Sequence, residues 1–183
     1  MFDNFTNSTQ EMIYNAQAKA VENHNTMIEP AHILYAMVTG SIESVDMLLK
    51  ELKISTNLLN SDIANVLNNI AKTQEINEKI YFSKNCLSLF ELASNKAKEL
   101  KDKYVSSEHI LLALEEIKDP DIERIVNKYG LNKDNILKAM KSIRGGKKVD
   151  SKNADEDYKI IEKFSIDLTK LAKEGKLDPV IGR

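Results

Sequence analysis

The feature that most constrains this chain is an internal repeat. Slid against itself by 77 positions, the sequence places Ala16, Lys19, Ala20 and Glu22 on Ala93, Lys96, Ala97 and Glu99. His32-Ile33-Leu34 falls on His109-Ile110-Leu111, and Ala36 on Ala113. Without a gap, Val45, Leu48, Leu49, Leu52, Ile54, Leu59 and Ile63 then meet Ile122, Ile125, Val126, Tyr129, Leu131, Ile136 and Met140. Identity is low, but apolar character is kept at core-like spacing, the mark of a duplicated structural unit. The first 140 or so residues are therefore a tandem duplication.

Each copy reads as four helices. No glycine occurs between Gly40 and Gly130, and the chain carries only six glycines and three prolines. So few turn-formers disfavour an architecture of many short strands and hairpins. In the first copy, Thr6 or Ser8 caps a helix with Met12, Ile13, Ala16, Ala20 and Val21 on one face at 3.6 spacing. Pro30 suits the first turn of the next, with Ile33, Leu34 and Met37 inward. A third helix runs from Ile42 to Leu52, and Ser55 caps a fourth carrying Leu59, Ile63, Val66 and Leu67. The second copy repeats the plan with a Ser83 cap, a Ser106 or Ser107 cap before His109, Pro120 at a helix start and an Asn132 cap. Helices this short need packing on one another, which predicts that the bundles share an apolar contact. The expected fold is all-α: two tandem four-helix repeats (about 6–70 and 83–142) with pseudo-twofold symmetry, then a linker and a C-terminal helical segment.

After Ile143 the pattern changes. Arg144-Gly145-Gly146-Lys147-Lys148 and Asp150-Ser151-Lys152-Asn153 lack apolar periodicity, so residues 144–157 read as a flexible linker. Helical spacing resumes with Ile160, Ile161, Phe164, Leu168 and Leu171 and stops at Gly175. An amphipathic helix with nothing after it to cover it predicts a chain cut at a domain boundary.

Charge and composition narrow the function. Lys plus Arg is 26 and Asp plus Glu 28, a near balance unlike that of a dedicated nucleic-acid binder. Lys138, Lys141, Arg144, Lys147 and Lys148 trail from the last helix of the second copy, where lysines also complement a helix dipole. No apolar run is long enough to span a membrane, the polar start MFDNFTNSTQ has no basic n-region, and the lone Cys86 allows no intrachain disulfide. A cytoplasmic protein without nucleic-acid or membrane partners is expected.

Catalytic patterns are missing. The chain has neither the H-E-x-x-H nor the C-x-x-C spacing of a metal site, no G-x-S-x-G, and no Walker A sequence, so no metal site or nucleotide hydrolysis is expected of it. Cys86 sits near a helix start, where the dipole modestly lowers a thiol pKa, but no catalytic partner is in view. His32 and His109 recur at equivalent positions. The favoured reading is that each binds backbone or cap atoms within its own repeat; the competing one is a small enzyme using both. What remains is surface recognition, with Met12, Tyr81, Phe82 and Phe90 as candidate partly exposed apolar side chains.

Two copies of an x-x-H-I-L-x-A unit, each preceded by a capped amphipathic helix, resemble the double Clp N-terminal domain, over residues 1–143. Ser142-Ile143-Arg144-Gly145-Gly146, then Asp167-Leu168-Thr169 and Gly175-Lys176-Leu177-Asp178-Pro179-Val180-Ile181-Gly182-Arg183, resemble the linker and the start of the first AAA+ module (158–183) in ClpB-type disaggregases. The resemblance implies an ATP- and Mg-dependent homohexameric chaperone that threads polypeptides from aggregates and works with a DnaK-type system. This stretch would be its mobile, substrate-engaging N-terminal region, monomeric on its own and not itself an enzyme. It implies substrate handling by Thr6, Asp102 and Glu108, an apolar substrate groove near Met12, Phe90 and Leu92, and an ATP pocket bordered by Val180, Ile181 and Gly182 once the ATPase module is present. The alternative is the adaptor-docking domain of a protease-linked ClpA- or ClpC-type unfoldase.

Overall fold

A computed structural model describes residues 1–75 and 79–154. The final helical segment expected from Ile160 onward, and Val180, Ile181 and Gly182 with it, lie outside the described residues.

Side-chain caps set most helix starts. Helix α1 (Asn7–Glu22) begins at Thr6, whose hydroxyl accepts from the Thr9 N–H. Strand β1 (Met27–Ile28) follows, and Pro30 then opens α2 (Pro30–Thr39), where its missing N–H costs nothing. Helix α3 (Glu43–Glu51) precedes α4 (Thr56–Asn68), whose cap is Ser55. The second copy runs β2 (Tyr81–Phe82), α5 (Lys84–Glu99) capped by Ser83, α6 (Ser107–Ala113), α7 (Pro120–Tyr129) capped by Asp119, and α8 (Lys133–Arg144) capped by Asn132. Helix α7 ends on Gly130 at φ 65°, a left-handed position that glycine takes without strain. The all-α, two-repeat reading matches this order helix for helix.

The two copies interlock about a pseudo-twofold axis. Within each, the first two helices pack together, α1 on α2 and α5 on α6. Across them, α3 packs on α8 and α4 on α7. One feature lies outside the sequence reading: the segments before the helices pair across the repeats. Strands β1 and β2 run parallel, with Ile28 opposite Phe82, while Phe5 forms a parallel bridge with Val105. The Ser83 N–H donates to the Ile28 carbonyl at 2.9 Å, and the Thr6 N–H to the Val105 carbonyl at 2.9 Å, the same bond made twice. At this seam Phe2, Phe5, Phe82 and Phe90 meet edge to face, with centroids 5.0–6.2 Å apart. One apolar core runs through both repeats, from Ile13, Leu34 and Leu48 to Leu89, Leu111 and Ile136.

The structure departs from the flexible-linker reading. Residues 145–154 lie along the domain, with Val149 and Ala154 buried. The Lys103 and Tyr104 N–H groups donate to the Val149 carbonyl at 2.8 and 3.0 Å, and the Asn7 N–H to the Lys152 carbonyl at 2.9 Å. Backbone bonds, a few polar side-chain bonds and two buried apolar side chains five residues apart hold this stretch, and none of these produces a periodic pattern.

Candidate functional site

The chemistry-bearing side chains gather around the two histidines. His32 is fully buried and accepts the Glu29 N–H at Nδ1, 2.9 Å away. A backbone N–H only donates, so the hydrogen of the neutral ring sits on Nε2, which donates to Asn25 Oδ1 at 2.8 Å. Burial, with Lys19 nearby, pushes the His32 pKa down to about 4. His109 repeats this geometry: Nδ1 accepts the Ser106 N–H at 2.8 Å, and Nε2 lies 2.7 Å from Asp102 Oδ2. Each imidazole therefore ties a helix start to the loop before it, within its own repeat.

Around its histidine, the second copy carries three buried charges where the first has none. At the repeat offset, Asp102 replaces Asn25, Glu108 replaces Ala31 and Arg144 replaces Leu67. All three are buried and bonded together. Arg144 Nη1 donates to Asp102 Oδ2 at 2.9 Å, and its Nε to Glu108 Oε2 at 3.2 Å. Asp102 Oδ1 accepts the Val149 N–H at 2.9 Å. Burial pushes the Asp102 carboxyl upward, but the hydrogen bonds from His109, Val149 and Arg144 outweigh it and hold the pKa well below the ordinary value of 3.8. Arg144 and Val149 escaped the sequence reading. The available signal was spacing: Arg144 follows Ile136 and Met140 on the inward face of α8, where a cation needs a carboxylate.

Five of the six residues expected to touch substrate are interior. Thr6 is buried, with its hydroxyl 2.6 Å from that of Thr9, which lies 3.1 Å from the Ser107 hydroxyl on α6. Met12 is in the core, and Phe90 is locked in the aromatic cluster at the seam. Asp102 and Glu108 belong to the charge cluster. Met12 and Phe90, expected near a groove, both lie on the inward faces of their helices. Leu92 alone borders open space, a groove of about 530 Å³ shared with Lys84, Asn85, Ser88 and Ile117. That groove is mixed in character rather than apolar.

Exposed apolar side chains occur elsewhere on the seam. Met27 and Tyr81 sit opposite one another on β1 and β2, and are 38% and 67% exposed. Leu87, in the first turns of α5, is 45% exposed. Phe82 is half-buried and packs against the core. Burial, despite the Ser83 hydrogen bond, pushes the Cys86 thiol up rather than down, so the helix dipole does not make it a nucleophile. Among the described residues no group of three or more His, Cys, Asp or Glu side chains is arranged to hold a metal ion, and no helix is long and apolar enough to cross a membrane.

A duplicated, interlocked helical module with a histidine at the start of each second helix is the Clp repeat architecture. The family model for the Clp repeat (R) N-terminal domain matches residues 4–129, and the chain belongs to that family. It is 37% identical over 181 residues to the chaperone protein ClpB of Vibrio cholerae, covering 99% of this chain and 21% of that protein. The chain thus spans about a fifth of the length of the curated relatives it matches, at their N-terminal end. The Hsp104 N-terminal domain from Candida albicans superposes with a TM-score of 0.71 at 26% identity, over 84% of this chain and 99% of that one. A ClpV N-domain solved in complex with a VipB peptide shares the fold, with a TM-score of 0.60 at 16% identity over 75% of this chain and 85% of that one.

Proposed function

We propose that this domain engages unfolded polypeptide segments for an ATP-dependent, homohexameric disaggregase of which it is the N-terminal part. The observation that carries the reading is the pair of exposed apolar side chains across the inter-repeat strands, Met27 and Tyr81, with exposed Leu87 in the first turn of the helix that follows β2. Exposed apolar area gains about 25 cal/mol per Å² on burial whatever the ligand's sequence, which suits weak, promiscuous capture. The peptide complex of the structurally similar ClpV N-domain lends support. Leu92, at the groove on α5, would offer a further apolar contact. Thr6, Met12, Phe90, Asp102 and Glu108 serve from behind, by fixing the frame on which these side chains sit.

ATP and Mg belong to this proposal only through the whole protein. Residues 158–183 would begin its first ATPase module, Val180, Ile181 and Gly182 would border the adenine, and a DnaK-type system would supply aggregates. The described residues contribute no step to nucleotide hydrolysis. Their role is capture in the cytoplasm before threading.

Fluorescence anisotropy with a labelled, soluble unfolded polypeptide tests the reading. A Kd of about micromolar or weaker is expected, rising at least fivefold in the Tyr81→Ser/Leu87→Ser double variant. Unchanged affinity in that variant, or no binding by the parent chain at millimolar concentration, would move the function to docking of a folded adaptor.

A further inference from the structure

Residues 145–154 occupy a shaped docking surface on the domain that precedes them. Gly145, at φ 61° and ψ −123°, reverses the chain after α8, a conformation restricted to glycine. Lys148 then reaches the Leu100 carbonyl at 2.8 Å, and Val149 is buried. The Val149 carbonyl accepts from Lys103 and Tyr104, and its N–H meets Asp102 Oδ1. The strap ends against the start of α1, where Asn7 Nδ2 donates to Asn153 Oδ1 at 2.7 Å.

The first repeat shows what this surface is for. There the chain leaving α4 passes the same place, and Ala71 accepts from the Thr26 N–H at 3.4 Å and from Asn25 Nδ2 at 3.3 Å. That contact is neutral. In the second repeat Asp102 replaces Asn25, so the strap's N–H bonds to a buried carboxylate that Arg144 neutralises. Charge-assisted bonds of this kind are roughly twice as strong as neutral ones. Everything else on the strap is a few backbone bonds, the Lys148 and Asn153 side-chain bonds and two small buried side chains, Val149 and Ala154, the composition of a segment that opens separately from a core.

We infer that residues 145–154 form a releasable strap, latched to a surface between the α5–α6 loop and the start of α1 by the Asp102–Arg144–Glu108 cluster. Docked, the strap places Ala154 beside helix α1. Released, ten residues add a reach of up to about 35 Å from Gly145. The latch thereby sets how far the domain stands from whatever follows Ala154. This inference does not depend on what the exposed apolar side chains bind.

Amide hydrogen exchange on the full chain tests it without any polypeptide ligand. Exchange at Asn7, Lys103 and Tyr104 is expected to be slowed in the parent chain, but less than at Ile110 and Leu111 in the core. Val149→Pro removes the N–H given to Asp102 and leaves every charge in place. Asp102→Asn/Glu108→Ala/Arg144→Leu restores the uncharged set of the first repeat without stranding a charge. In both, exchange at Asn7, Lys103 and Tyr104 should quicken at least tenfold while Ile110 and Leu111 are unchanged. Fast exchange of the three amides in the parent chain, or parent-like protection in both variants, would overturn the latch.

Discussion

Asp102 occupies in the second repeat the place that Asn25 holds in the first, and each lies within hydrogen-bond distance of its repeat's histidine Nε2, at 2.7 Å and 2.8 Å. Duplication preserved the geometry while one copy became charged. That change brings Arg144, Glu108 and the strap into a single buried network.

Removing Arg144 alone strands two carboxylates in the interior. Arg144→Leu is expected to cost about 3–5 kcal/mol, the usual range for breaking a buried pair from one side. The Asp102→Asn/Glu108→Ala/Arg144→Leu variant should recover most of that loss. Urea unfolding followed by circular dichroism measures both, and equal destabilisation in the two would contradict the network.

Acid acts on the repeats in different pH windows. The His32 pKa falls from 6.5 unfolded to about 4 folded, so the fold favours the neutral ring. Its contribution is complete above pH 6.5 and is lost as pH falls toward 4, to an extent of up to about 3 kcal/mol. Asp102 is depressed from 3.8, so its contribution is present above that value and drains away at lower pH. Melting temperature against pH should decline first between 6.5 and 4, and His32→Gln should flatten that limb while leaving the steeper acid limb in place.

Phe90 belongs to the core rather than to a binding face. Phe90→Ala is expected to cost about 3–5 kcal/mol, as large-to-small core changes do. In conditions where the variant stays folded, its polypeptide affinity should match the parent's. A drop in affinity with little loss of stability would return Phe90 to the surface role that the family resemblance gave it.

Cys86 offers a reporter of opening. Its buried thiol should resist a soluble disulfide reagent in the native chain and react fully in denaturant. Rapid labelling of the native protein would show that the start of α5 opens far more easily than its packing implies.

The helices were legible because their starts carry side-chain signals: Thr6, Ser55, Ser83 and Asn132 all cap where the sequence places them. Val21, expected on the inward face, is exposed instead, since it falls outside the helical arc that holds Met12, Ile13, Ala16 and Ala20. The cross-repeat pairing of Ile28 with Phe82 and of Phe5 with Val105 left no trace in the pattern, because two-residue strands have no periodicity to read. The strap was hidden for a related reason: Gly145, Gly146, Lys147 and Lys148 look like a linker, and one buried valine carries no pattern. For the site, the resemblance pointed to Thr6, Asp102 and Glu108 but not to their burial, which for the two carboxylates depends on Arg144 arriving from a helix more than thirty residues away.

The most direct test of the central claim is a chemical-shift titration of the full chain with a soluble, unfolded polypeptide. The account predicts fast-exchange shifts clustered on Met27, Tyr81, Leu87 and Leu92, with saturation at micromolar or weaker affinity. Shifts confined to other surfaces, or none at millimolar ligand, would contradict polypeptide capture at the inter-repeat seam.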